Sequence, residues 1–245
     1  MKELAQIASA VQASSTMVMD ALAKQMQADG VDVIGFGAGE PDFNTPDHIK
    51  EVAKHAITEN VTRYTPASGT IAMKQAVCRR MKEDCGLDYV PSQVVVSSGA
   101  KHCVYIALRT LVNPGDEVIL PAPFWVSYLE LIKMVGATPV VVTAEESAGF
   151  KMTAEQLADA ITPKTKALIL NNPNNPTGMV YAEEELSAIA RVCVEKDIYV
   201  ISDEVYYGLL YDGVKSVSFA SLGEDVKART ILVNGVSKSY AMTGW

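Results

Sequence analysis

Lys238 sits in ILVNGVSKSYAMTGW, residues 231–245, where a β-branched run empties into small residues around one amine. A lysine at the end of an apolar strand is seldom an ordinary surface residue, and desolvation lets its amine act as a nucleophile or base. A second run, IYVIS, ends in Asp203-Glu204, with Tyr206 close behind. A carboxylate there is costly unless it meets a cation. A third run, ALIL, opens into Asn171-Asn172-Pro173-Asn174-Asn175-Pro176-Thr177-Gly178. That string serves either as an ordinary connection or as a rigid loop aiming an amide, such as that of Asn175, at a ligand oxygen. After VILPAP come Phe124 and Trp125, rings that would either pack in the core or stack on a planar ligand. After VVV come Ser97-Ser98-Gly99-Ala100-Lys101, small residues opening a helix whose free N–H groups would cradle a phosphate.

One cofactor meets the whole set: a planar, phosphorylated, protonatable ring bearing an aldehyde. The lysine takes the aldehyde, the helix start takes the phosphate and the aspartate pairs with the ring nitrogen. Asparagine and tyrosine reach the ring oxygen, and the aromatic side chain covers the ring face. That description fits pyridoxal 5'-phosphate.

The elements that must position these residues alternate along the chain. Short β-branched runs occur at 93–99, 116–123, 137–143, 166–172, 197–204 and 229–235, with helical spacing at 100–112, 124–135, 153–161 and 182–196. Continuous apolar strands separated by helices specify an α/β fold, a mostly parallel sheet covered on both faces. In such sheets ligands bind beyond the carboxyl ends of the strands, where the residues above fall. Before this region lie an expected helix at about 18–29, the loop GAGEPDF and a helix opened by Pro46. The division expected is an N-terminal arm and piece of a smaller domain over 1–45, followed by a large cofactor-binding domain over 46–245.

Bulk properties narrow the classes. The chain has 245 residues, 49% of them hydrophobic, and 20% are charged, with no run long enough to span a membrane. A net charge of −8 without a basic cluster argues against nucleic-acid binding. His48, His55 and His102 lack metal-ligand spacing, so no metal site is expected. The first 27 residues hold no continuous apolar core, and Cys78, Cys85, Cys103 and Cys193 form no CxxC pair; together these predict a cytoplasmic protein with idle thiols. Gly35, Gly37 and Gly39 do not give the GxGxxG spacing of a dinucleotide site.

NNPNNPTG, SDEVYY and NGVSKSYAMTGW, with GAGEPDF, RYTPASG, SSGAK and PFWVSY, resemble the signature segments of class I aminotransferases of pyridoxal-phosphate fold type I. The likeness runs from Ser14 to Trp245 in family order and is greatest to the bacterial aspartate aminotransferase branch. It implies a three-layer α/β/α large domain and a homodimer with shared active sites. Lys238 would hold the cofactor and shuttle the proton, and Asp203 would keep the ring nitrogen protonated. Asn175 and Tyr206 would bond the ring oxygen, Trp125 would stack, and Gly99, Ala100, Lys101 and Ser237 would surround the phosphate. Tyr64 would reach the phosphate of the neighbouring subunit, and Gly39 would approach the substrate carboxylate through its backbone.

The same resemblance implies a ping-pong exchange of an amino group between an L-amino acid and a 2-oxo acid. Lys101, with Ser14 and Thr16, would favour acidic side chains, hence aspartate with 2-oxoglutarate as acceptor. Aromatic amino acids, alanine or prephenate are the alternative donors; β-elimination on the same lysine chemistry and a non-catalytic member of the family are the alternative readings. The family pattern continues beyond TGW with a phosphate-contacting arginine, a further strand and the rest of the small domain. That strand would lie between the strands at about 94–97 and 230–234. The chain is therefore expected to be a C-terminally truncated piece with an incomplete sheet, binding cofactor and transaminating weakly.

Overall fold

The computed structural model describes residues 15–245 except 36 and 38, with residues 2, 3, 5, 7, 8 and 11 before them; of Ser15 only the backbone is described. Five parallel strands form one sheet: β1 (Glu117–Ala122), β2 (Thr138–Thr143), β3 (Thr165–Asn171), β4 (Tyr199–Asp203) and β5 (Thr230–Val233), in the order β2-β1-β3-β4-β5. Helices α1 (Ser15–Ala28), α2 (Asp47–Thr58) and α3 (Ile71–Cys85) precede the sheet. Helices α4 (Gly99–Leu111), α5 (Ser127–Met134), α6 (Ala154–Ala160), α7 (Glu183–Glu195) and α8 (Glu224–Arg229) alternate with the strands, and α9 (Val236–Ser239) follows β5.

Alternation along each strand divides the core into two layers. Val118, Leu120, Ala167 and Ile169 face Val104 and Leu108 of α4 and Tyr128 and Ile132 of α5. Ile119, Leu168, Leu170 and Val200 face Leu157 of α6 and Leu186 and Ile189 of α7. Burial on both faces explains why the strands read as continuous apolar runs rather than alternating ones. This is the expected α/β fold, three layers with a partial sheet.

The run at 93–99 departs from expectation. Residues 91–93 form a single 3₁₀ turn, and Val94 is extended (φ −110°, ψ 130°), yet among the described residues nothing pairs with 94–97 as a ladder. Besides local turns, Val96 N–H donates to the Ser68 carbonyl at 3.1 Å. β-Branched residues make a segment extended, but a strand needs a partner, and among the described residues β5 is paired on one side alone, with β4.

The contact between this segment and the loop before α3 is tight. Gly69 adopts φ +97°, and a Cβ there would lie 2.7 Å from Val96 Cγ2 and 2.8 Å from Val96 Cβ. Gly69→Ala combines left-handed strain with overpacking, so a loss of about 2 kcal/mol is expected. A melting curve should fall by about 4–8 °C for a chain of this size, and an unchanged midpoint would contradict the packing described.

Candidate active site

β4 ends at Asp203, whose side chain is 2% exposed. Its Oδ2 accepts the hydroxyl of Tyr128 at 2.6 Å and its Oδ1 accepts Val205 N–H at 3.2 Å. Burial pushes the carboxyl above its usual range, and the two donors oppose that rise. The same burial, with Asp203 beside it, raises the Tyr128 hydroxyl well above 10. Tyr128 also meets the edge of Trp125, ring centroids 5.3 Å apart at 89°, and Lys101 Nζ stands 4.9 Å from the Trp125 ring centroid. Trp125, Tyr128 and Asp203 therefore form one stack at the carboxyl ends of β1 and β4.

The Asn/Pro loop after β3 is tied to the same place. Asn171 Nδ2 donates to the Asp203 carbonyl at 2.9 Å, and Asn171 Oδ1 accepts Asn175 N–H at 2.7 Å. Asn175 Nδ2 in turn reaches the Tyr206 hydroxyl at 3.1 Å. Two polar tips thus converge on one point beside the aspartate. Tyr206 is half-buried, and burial raises its hydroxyl pKa.

α4 starts at Gly99, and Ser98 before it places no side-chain acceptor on the first-turn amides. Among the described residues, a Cβ on Gly99 would meet nothing within 4 Å, so the space beside this glycine is open. First-turn amides have no intrahelical partner and carry the positive end of the helix dipole, although the Gly99 amide itself returns to the Ser97 carbonyl at 2.9 Å. Ser97 Oγ pairs with His102 Nδ1 at 2.6 Å beside it.

α9 carries Ser237 and Lys238. Lys238 is half-buried; burial lowers its pKa from 10.5 and the Glu40 carboxylate opposes that shift. Its Nζ donates to the Gly39 carbonyl at 2.5 Å. Lys238 and Asp203 come from neighbouring parallel strands, since β5 delivers α9 directly. Ser239 packs close to Gly208, whose Cβ would lie 3.1 Å from Ser239 Oγ, so α9 lies against the segment that carries Tyr206.

The structure thus brings together Lys101, Trp125, Asn175, Asp203 and Tyr206, and sets Gly39 against Lys238. Tyr64 stands apart, fully exposed at 106%, and Thr16 lies half-buried in the first turn of α1. Ser14 lies outside the described residues. Two participants were not singled out by sequence reasoning. Tyr128 holds the aspartate, and Asn171 ties the aspartate's backbone to the Asn175 loop.

A family model described as aminotransferase class I and II matches residues 31–245. The chain belongs to that family. Its relatives include an aspartate aminotransferase of Bacillus sp. (strain YM-2), 51% identical over 95% of this chain and 59% of that protein. Another is an aspartate aminotransferase of Geobacillus stearothermophilus, 49% identical over 99% of this chain and 62% of that protein. The structure of a Thermus thermophilus aspartate aminotransferase with maleate superimposes with a TM-score of 0.96 at 40% identity, over all of this chain and 63% of that one. The chain spans about three fifths of the length of the curated relatives it matches. Among the described residues no helix is long and apolar enough to cross a membrane, and no cluster of three acidic, histidine or cysteine side chains could hold a metal.

Proposed function

We propose that this chain carries the cofactor-binding portion of a pyridoxal 5'-phosphate-dependent aminotransferase acting on an acidic amino acid, aspartate, with 2-oxoglutarate as acceptor. The observation that carries the reading is Asp203: a carboxylate 2% exposed at the end of a parallel strand, one strand from a lysine whose pKa burial lowers. A buried acid of that kind calls for a cationic partner. The open cradle at Gly99 fits the phosphate, and the half-buried Trp125 fits one face of the ring.

Bound there, the cofactor supplies an aldehyde and a protonatable ring that draws electrons from the amino-acid Cα. Asp203 would hold the proton on the ring nitrogen, with Tyr128 fixing the carboxylate. Asn175 Nδ2 and Tyr206 OH would donate to the ring oxygen. Lys238 Nζ would take the proton from the substrate Cα and return it at the end of the half-reaction, a role its lowered pKa supports. Lys101, an exposed cation beside Trp125, would attract an acidic side chain, and Gly39 would meet the α-carboxylate through its backbone.

A homodimer with shared sites is part of the reading. Met17, Val18, Met19 and Leu22 of α1 are exposed, as is Tyr64, and a second copy would cover them. In this reading residues 1–45 form an arm and a piece of a smaller domain, and 46–245 the large domain. Four unpaired cysteines suit a reducing, cytoplasmic setting.

The test is covalent. The chain is incubated with pyridoxal 5'-phosphate, reduced with borohydride and mapped by peptide mass. One pyridoxyl group on Lys238, missing from Lys238→Ala, is the expected result. Label scattered over exposed lysines in both proteins would refute the assignment.

A further inference from the structure

Residues 39–45, GEPDFNT, cross the site without regular structure or a core of their own; Phe43 is 80% exposed. What holds this strap lies about 200 positions later. The Gly39 carbonyl accepts Lys238 Nζ at 2.5 Å, and Glu40 Oε1 accepts the Thr243 hydroxyl. Thr45 Oγ1 donates to the Ala241 carbonyl at 2.5 Å and accepts Trp245 Nε1–H at 3.2 Å. Thr45 is the residue of the strap that makes two of these bonds with one atom.

The partner it holds is unusual. Ala241 adopts φ +50°, a left-handed conformation that glycine normally fills at a helix end. Ala241 N–H returns to the Lys238 carbonyl at 3.3 Å and Met242 N–H to the Ser237 carbonyl at 3.0 Å, the pair of bonds that closes a helix through a left-handed residue. The same strained residue thus bonds the Lys238 peptide with its amide and Thr45 with its carbonyl. A side chain with a methyl group has no intrinsic preference for that shape, so an external bond to its carbonyl helps fix it.

Resting on the proposed function, we propose that Thr45 is a positioning residue. Its hydroxyl fixes the strained turn behind Lys238 and fastens the Gly39–Thr45 strap to it, so that the lysine and the strap carbonyl beside its amine keep one relative placement. Release of the hydroxyl would free both segments together, although they are far apart in sequence.

Hydrogen–deuterium exchange on the cofactor-free chain reads this directly. Thr45→Ala should speed exchange in peptides covering 39–45 and 236–245 together, by about tenfold, the factor expected for one hydrogen bond of ordinary strength. Strand peptides should stay unchanged, and Thr45→Ser should restore both segments. Thr45→Val, which keeps the volume and removes the hydroxyl, should match the alanine variant and serves if that one folds poorly. The rate at which Lys238 acquires a reducible pyridoxyl group should fall with the same pattern, down in Thr45→Ala and Thr45→Val and restored in Thr45→Ser. Loosening of 39–45 alone, or an unchanged labelling rate at Lys238, would overturn the positioning role. A wild-type chain that shows the coupled exchange but never labels at Lys238 would count against the proposed function and leave the strap contact standing.

Discussion

Replacing Asp203 by asparagine is expected to weaken pyridoxal 5'-phosphate binding about 100-fold while leaving the fold nearly as stable as before. The two effects separate because the carboxylate is costly to the apoprotein and useful to the ligand. Its side chain is 2% exposed, and its raised pKa shows that burial disfavours the charge. Asparagine keeps one acceptor oxygen, for the Tyr128 hydroxyl, but turns its amide N–H₂ toward the Val205 N–H; losing that bond offsets what removing the charge gains, so the unfolding midpoint should move little. On the proposed function, ligand binding would lose a charge-assisted hydrogen bond to the ring nitrogen, about 2–3 kcal/mol in a site shielded from water. If the proposed function holds, a chain of the relatives' full length should lose turnover to the same order or more, about 10²–10³-fold, since the charge Asp203 would balance would grow during reaction. Trp125 lies in the stack with Tyr128 and Asp203, so its fluorescence during a titration with the cofactor reports the affinity. Equal affinities for the two proteins would remove Asp203 from the ring nitrogen. A large drop in urea midpoint without ligand would instead make it a structural acid.

Much of this arrangement is legible before any coordinates. The strands are readable because burial keeps the middles of β1, β3 and β4 apolar but for Ser202, so each run ends abruptly, and the polar residues after it mark the carboxyl end, where ligands bind in such sheets. Asp203 stands directly at such an end, and Asn175 and Lys238 lie a few residues beyond two others. Tyr128 carries no such mark, since an apolar helix position three residues after Trp125 looks the same whether its hydroxyl meets water or a carboxylate 75 positions away. The run at 93–99 has a strand's composition, but that says nothing about a pairing partner: Gln93 ends a 3₁₀ turn, Val94 is extended, and Gly99 already opens a helix. The apolar residues of helix α3 make no clean stripe, so its periodicity is weak in the sequence: Ile71 and Met73 are exposed and only Met81 is buried. Its punctuation was nevertheless present. Thr70 accepts Met73 N–H at 3.3 Å at one end, and Gly86 takes φ +70° at the other. Thr45 could not have been found from sequence, because its partners lie about 200 positions away and one of them is a backbone carbonyl.

Asp203-Glu204 reads as one acidic pair in sequence, but successive side chains leave a strand on opposite faces, and the two acids enter different surroundings. Glu204 turns away from Tyr128 and is 1% exposed. Its Oε1 accepts the hydroxyls of Ser202 at 2.9 Å and Ser218 at 3.0 Å and the Phe219 N–H at 3.0 Å, while its buried Oε2 meets no hydrogen-bond partner among the described residues. Asp203 adds a neighbouring negative charge. Cys85, Tyr89 and Tyr207 complete the surroundings, and the Glu204 charge helps hold all three in their neutral forms. Burial first, and Asp203 second, push this carboxyl from 4.5 up to about 7, against the opposing pull of the three donors. The consequence for stability has a definite sign. Below pH 4.5 both folded and unfolded chains hold the proton and the group contributes nothing. Between there and about 7 the folded chain keeps a proton that the unfolded chain has released, so stability falls as pH rises, and above that range the penalty levels off. The full span amounts to about 3 kcal/mol. Glu204→Gln keeps the acceptor for the three donors and cannot ionise, so its penalty is the same at every pH. Urea unfolding should therefore show the variant matching or slightly trailing the wild type at pH 5 and exceeding it by about 2–3 kcal/mol at pH 8. A difference between the two proteins that is the same at both pH values would mean that Glu204 is ionised in the fold throughout, with an unseen partner for Oε2.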